Sequence, residues 1–149
     1  MAQLSDFATR GKVTAVKDEL VVFQPSDTNY ELHLVTAGSG YGGPLNVPVF
    51  AYVRGTARKI WTVPSGGNFI TPIVGPTRIV QGRVRHVGPN SIVVRAGADV
   101  IVELPSDDSA IDLAQGAVGV GSMVNVTLHP GATFELARQP AGAGAAALK

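Results

Sequence analysis

The chain contains many short segments that are either apolar or alternate between apolar and polar residues. Glycine, proline, asparagine or aspartate lies between them. Ten such segments can be recognised: 12–16, 20–24, 30–35, 47–54, 58–63, 82–87, 92–96, 100–104, 122–128 and 132–137. Short runs of this kind with turn residues between them are typical of β-strands. Valine and isoleucine together number 28, against 10 leucines, and β-branched side chains pack better on a pleated sheet than in a helix. The sequence therefore predicts an all-β protein.

The second five segments repeat the first five. Residues 11–16 (GKVTAV) align with residues 82–87 (GRVRHV), and residues 47–63 align without a gap with residues 120–136. Several short strands at regular spacing suggest a barrel or a sandwich. We therefore expect a tandem duplication of a five-stranded small barrel.

This duplication divides the chain into four parts. Residues 1–63 form the first barrel repeat, residues 64–81 an apolar and ordered linker, and residues 82–137 the second barrel repeat. Residues 138–149 are a low-complexity tail of alanine and glycine, and such a tail is expected to be flexible by itself.

Each copy has the predicted order of a three-strand meander, a connector and a two-strand hairpin. In the second copy the connector carries aspartates early and ends at Gly116, which predicts one short helix near residues 108–115. Three strands, a helix and two strands resemble the OB-type small barrel, whereas five strands without the helix suit an SH3-like barrel equally well. The resemblance is one of topology and names no family.

Alternation along the strands predicts which side chains face the core. Tyr30, Leu32 and Leu34 share one face of their strand. Ile101 breaks the alternation, so we expect it to pack under a neighbouring element. Trp61 aligns with Phe134, and both are therefore expected in the core.

The linker between the repeats carries four large apolar side chains: Phe69, Ile70, Ile73 and Val74. A solvated linker would not contain them, and connections as long as this one are uncommon inside compact folds. These side chains need a partner surface. The groove between the two barrels and another subunit are the two alternatives.

Charge is nearly balanced in total but segregated along the chain. Residues 1–31 carry a net charge of −2, residues 32–98 carry +7 without an acidic residue, and residues 99–149 carry −4. The basic side chains of the middle block are candidates for binding an anion or a partner: Arg54, Arg58, Lys59, Arg78, Arg83, Arg85 and Arg95. Arginine suits planar, bidentate pairing with carboxylate or phosphate.

Three interpretations of this segregation remain open. The first is homo-oligomerisation, in which the basic region 32–98 of one copy meets the acidic region 99–149 of the next, with Asp107, Asp108 and Asp112 as the acidic partner surface. The alternative is a nucleic acid held on the arginine-rich face. In the third, the arginines pair with acidic residues of the same chain.

Motifs of catalysis are missing from the sequence. His33, His86 and His129 are far apart and lack the spacing of a zinc site, and the chain has no cysteine. The glycine-rich segment 38–43 fits G-x-G-x-x-G but is followed by Pro44 rather than by a helix. We therefore expect a non-enzymatic structural or interaction module without a cofactor, a metal or a small-molecule substrate.

The location of the protein is predicted from what its sequence lacks. The N-terminal segment has no apolar run of signal-peptide length, and no window approaches the length of a membrane span. We expect a cytoplasmic protein without a membrane partner.

Overall fold

The computed structural model describes residues 6–36, 41–64, 66–104, 111–112 and 118–137. The fold is all-β, as predicted. The strands in these ranges are β1 Thr9–Lys17, β2 Leu20–Pro25, β3 Glu31–Thr36, β4 Val49–Thr62, β5 Phe69–Thr71, β6 Val74–Pro76, β7 Ile79–Val87, β8 Ser91–Arg95, β9 Asp99–Glu103, β10 Ile111–Asp112, β11 Met123–Leu128 and β12 Thr133–Leu136.

The strands form one continuous sheet that closes on itself twice. β1, β2, β3, β12 and β4 are hydrogen-bonded in one ring, and β4, β11, β7, β8 and β9 are hydrogen-bonded in a second. Each ring contains one parallel pair, β3 with β12 in the first and β4 with β9 in the second. β12 therefore closes the first ring although it lies at the far end of the described chain.

β4 belongs to both rings because it is long, at 14 residues. Residues 49–54 pair with β1 on one edge and with β12 on the other. Residues 53–62 pair with β9 on one edge and with β11 on the other. A single strand thus holds the two rings together.

The hairpin predicted between segments 47–54 and 58–63 is not formed, because both segments lie within β4. The segments aligned with them, 122–128 and 132–137, are separated by Pro130 and Gly131, and Gly131 has a φ of 97°. At the positions aligned with Pro130 and Gly131 the chain has Ala57 and Arg58, which have no turn preference. The chain therefore continues as a strand.

The helix predicted near residues 108–115 is wrong at the two positions where the structure can be compared with it. Ile111 and Asp112 form β10, which pairs in parallel with Ile60 and Trp61 of β4. The rest of that segment lies outside the described residues. Backbone groups on a strand edge need hydrogen-bond partners, and β10 supplies them to β4.

The first hairpin of each ring has the same irregularity. A β-bulge interrupts the β1–β2 pairing between Val13 and Ala15 and the β7–β8 pairing between Val84 and His86. A bulge adds one residue to a strand and increases its local twist. The strong bending needed to close a ring is thus introduced at matching places.

One hydrophobic core runs through both rings. Its fully buried side chains include Phe23 and Leu32 in the first ring, Ile92 in the second, and Ile60 of the shared strand. Ile101 belongs instead to a small cluster on the outside of the second ring, where it packs with Phe7 and Val93. The expectation that Ile101 packs under a neighbouring element is confirmed.

Candidate functional site

Three of the seven basic side chains predicted as a binding face are paired within the chain. Arg85 donates to both carboxylate oxygens of Asp99, at 3.0 and 2.8 Å. Arg95 lies 3.9 Å from the same carboxylate, and Arg54 lies 3.5 Å from Glu103. Intramolecular pairing, the third interpretation of the charge segregation, therefore accounts for these arginines.

The Arg85 guanidinium lies over the ring of Phe7, 5.4 Å from its centre, and Phe7 is buried. Asp99 is buried and also exchanges hydrogen bonds with Thr9, whose hydroxyl contacts its backbone N–H and C=O. These contacts join the start of β1 to β9. The Thr9–Asp99 hydrogen bonds therefore link the two rings, while the Arg85–Asp99 pair lies within the second ring.

The other four basic side chains, Arg58, Lys59, Arg78 and Arg83, are not part of these ion pairs and are exposed. Arg83 donates to the carbonyl oxygen of Gly121 at 2.9 Å. The ammonium group of Lys59 lies 5.6 Å from the centre of the Trp61 ring. These side chains remain available to an external anion.

Lys59 and Trp61 lie on the outside of four adjacent strands, β4, β11, β7 and β5. We call this surface the four-strand face and define it by two rows of cross-strand neighbours. One row is Trp61, Asn125, Gln81 and Phe69, and the other is Lys59, Thr127, Ile79 and Thr71. The side chains on the opposite side of these strands are buried in the core: Ile60, Ile70, Val80, Val124 and Val126.

The middle of the first row is fixed by hydrogen bonds. The Asn125 side-chain amide donates to Gln81 Oε1 at 2.9 Å, and Gln81 Nε2 donates to the carbonyl of Gly67 at 3.0 Å. Trp61 and Phe69, both half-buried, flank these amides. The face thus presents two aromatic rings with an ordered polar strip between them.

The prediction that Trp61 belongs to the core is wrong. The register between β4 and β11 shifts so that Lys59 faces Thr127 while Ala57 faces Leu128, which leaves Arg58 as an extra residue. An extra residue reverses the inward and outward alternation beyond it. Ile60 therefore enters the core, and Trp61 is turned to the outside.

A groove of about 840 Å³ opens at the end of the four-strand face, beyond the row that contains Thr127 and Ile79. Arg58, Arg78 and His129 contribute its basic groups. Its apolar walls are Pro72, Pro76, Ile79, Leu128 and Pro130. No acidic side chain of the described residues lines it.

The four apolar residues of the linker have different environments. Ile70 is 2% exposed and belongs to the core, while Phe69 is half-buried on the four-strand face. Ile73 and Val74 are 51% and 54% exposed. The packing of Ile70 within the chain supplies its partner surface, and Ile73 and Val74 remain open to solvent.

The predicted acidic partner surface cannot be placed in the fold. Asp107 and Asp108 lie outside the described residues, and of Asp112 only the backbone in β10 is described. Within the described ranges, no three His, Asp or Glu side chains are arranged to hold a metal ion. The same ranges contain no helix with the length and apolar character needed to cross a membrane.

Three residues of the four-strand face and its groove were not singled out from the sequence: Thr77, Gln81 and Asn125. His129 was named from the sequence, but not as part of this groove. Amides on a strand carry no signal of their own, since any outward position accepts them. Thr77 lies between β6 and β7, and its burial depends on the fold. Comparison of the chain with protein-family models, with curated proteins and with solved structures found no match.

Proposed function

We propose that this protein is a non-enzymatic binding module that holds single-stranded nucleic acid on the four-strand face. The observation that carries the proposal is the row formed by Trp61, Asn125, Gln81 and Phe69, with Lys59 and Arg83 beside it. Aromatic rings stack on unpaired bases, and cations follow the phosphate backbone. The sequence predicted nucleic-acid binding on an arginine-rich face as an alternative function. We now assign that binding to the four-strand face.

The dimensions of the row suit a short length of single strand. Adjacent strands are about 4.8 Å apart, so Trp61 and Phe69, separated by three strand spacings, are about 14 Å apart. Bases at the two ends of a short segment can therefore stack on the two rings at once. Asn125 and Gln81 lie between them, where their amides can contact the edges of the intervening bases.

Binding is expected to weaken with salt in proportion to the number of phosphates contacted. Each contact on a single strand contributes a slope of about 0.7 in log–log units, so contacts from Lys59 and Arg83 predict roughly sevenfold weaker binding between 50 and 200 mM salt. The double variant Lys59→Gln, Arg83→Gln should lose most of this slope. Fluorescence anisotropy with an internally labelled oligonucleotide measures both quantities.

Two further variants separate stacking from charge. Trp61→Ala should weaken binding by about 1–3 kcal/mol while keeping the salt slope. Lys17→Gln removes one exposed charge from β1, outside the face, and should change neither quantity. Salt-independent binding, or an unchanged affinity of Trp61→Ala, would contradict the proposal.

Self-assembly is the second candidate function, and the exposure of Ile73 and Val74 favours it. Neighbouring exposed apolar side chains are typical of interaction surfaces. Light scattering at micromolar concentration is expected to show a species larger than the 15.4 kDa chain, and Val74→Asp should convert it to monomer. A strict monomer at low salt would exclude this candidate.

We propose further that the two rings are small barrels, OB-like or SH3-like, related by tandem duplication, and that the copies have exchanged their last strands. The matching bulges after Val13 and Val84 support the duplication. The exchange is supported by β12, the last segment of the second copy, which pairs with β3 of the first. It is also supported by residues 59–62 of β4, in the last segment of the first copy, which pair with β11 of the second. Each copy thereby supplies the strand that its partner lacks.

A further inference from the structure

The groove at the end of the four-strand face has three basic groups within one concave surface. Arg58 is the extra residue of the β4 bulge, Arg78 directly precedes β7, and His129 directly follows β11. These groups come from three separate segments of the chain. Their convergence is therefore a property of the fold rather than of a basic run in the sequence.

Thr77 gives the groove a second and independent feature. Its side chain is 2% exposed, lines the groove, and its Oγ1 has no hydrogen-bond partner among the described residues. Most buried polar side-chain atoms in folded proteins have such a partner. A hydroxyl can donate to an anionic oxygen, so a ligand that brings one would satisfy it.

We infer that this groove holds a phosphomonoester group, the terminal phosphate of a bound strand or the phosphate of a free nucleotide. The inference rests on the proposed function, because the groove adjoins the row that contains Thr127 and Ile79. Two guanidinium groups can each bind a phosphate bidentately, and the Thr77 hydroxyl supplies a further donor. A terminal phosphate also carries more negative charge than a bridging one.

The apolar walls of the groove can contact the sugar and the base of a nucleotide. Pro72, Pro76 and Pro130, with Ile79 and Leu128, present apolar surface next to the basic groups. The volume, about 840 Å³, lies within the range of small-molecule sites. A sugar and a base can therefore pack beside the phosphate.

The test compares three forms of one internally labelled oligonucleotide, with a 5′-phosphate, with a 3′-phosphate, or with hydroxyl groups at both ends. We expect at least about tenfold tighter binding of one phosphorylated form, the size of effect expected for added hydrogen bonds to a charged group. Arg78→Gln should remove this preference and leave the affinity of the hydroxyl form within twofold. Thr77→Val, which keeps the shape of the side chain, should reduce the preference without lowering the melting temperature.

A matched control removes a charge from a different groove. Arg10 lines a groove of about 480 Å³ together with Lys12 and Asp27, and Arg10→Gln should keep the full preference for a phosphorylated end.

A separate experiment titrates adenosine monophosphate and follows the backbone amide chemical shifts of Thr77, Arg78 and His129. A response that Arg78→Gln abolishes would assign the groove to a free nucleotide.

The outcomes separate this inference from the proposed function. Equal binding of all three oligonucleotides, with no response to the mononucleotide, would overturn the phosphate site while leaving the four-strand face intact. Failure of every oligonucleotide to bind, with a response to the mononucleotide at these amides, would overturn the proposed function and support the groove. A preference that persists in Arg78→Gln would also overturn the inference.

Discussion

Replacement of Phe134 by alanine is expected to lower the free energy of unfolding by about 3–5 kcal/mol. The side chain is 3% exposed and its ring lies 5.4 Å from that of Phe23 and 5.7 Å from that of Tyr41. Partial burial raises the pKa of Tyr41. Truncation would leave a cavity where β12 closes the first ring.

The measurement is denaturant unfolding followed by far-ultraviolet circular dichroism. Leu136→Ala, in the same strand but 45% exposed, serves as the control and should cost less than about 1 kcal/mol. Since β12 pairs with both β3 and β4, the loss should affect the whole molecule in one cooperative transition. A Phe134→Ala variant as stable as Leu136→Ala would show that β12 does not close this ring.

Replacement of Gly82 by alanine is expected to destabilise the protein by about 3 kcal/mol, at the upper end of the usual cost of overpacking. A Cβ atom at this position would overlap the backbone carbonyl of Arg95 on β8. Backbone cannot move aside as a flexible side chain can, so β7 and β8 would have to separate. The pairing of β7 and β8 next to the bulge would then be lost.

Gly11→Ala provides an independent test of the same geometry in the first ring. Its Cβ would overlap the carbonyl of Gln24 and the ring of Phe23, so a comparable loss is expected. Gly42, which has open space around its Cβ position, gives a control variant whose stability should stay within about 0.5 kcal/mol. Near-native stability of both Gly11→Ala and Gly82→Ala would contradict the close strand approach.

The candidate site was only partly predictable, and Trp61 shows why. The predicted alignment places Trp61 opposite Phe134, and Phe134 is buried. A single bulge residue, Arg58, turns Trp61 the other way. Bulges depend on twist and on partner strands, which a local pattern does not contain.

The charge pattern was likewise informative only in part. The sequence shows a basic block without acids, and it offers internal pairing as one explanation. Asp99 pairs with Arg85 and Arg95, and Glu103 pairs with Arg54. Which arginines remain for an external anion depends on how β9 lies beside β8 and β4.

The sequence by itself determined the all-β class, the approximate positions of most strands and the unusual placement of Ile101. These properties are local, because side-chain alternation and turn residues act within a few neighbouring positions. The tertiary structure alone decided that β12 would close the first ring and that Trp61 would face outward. Any strand edge offers the same backbone donors and acceptors, so the choice of partner depends on how two rings close around one shared core.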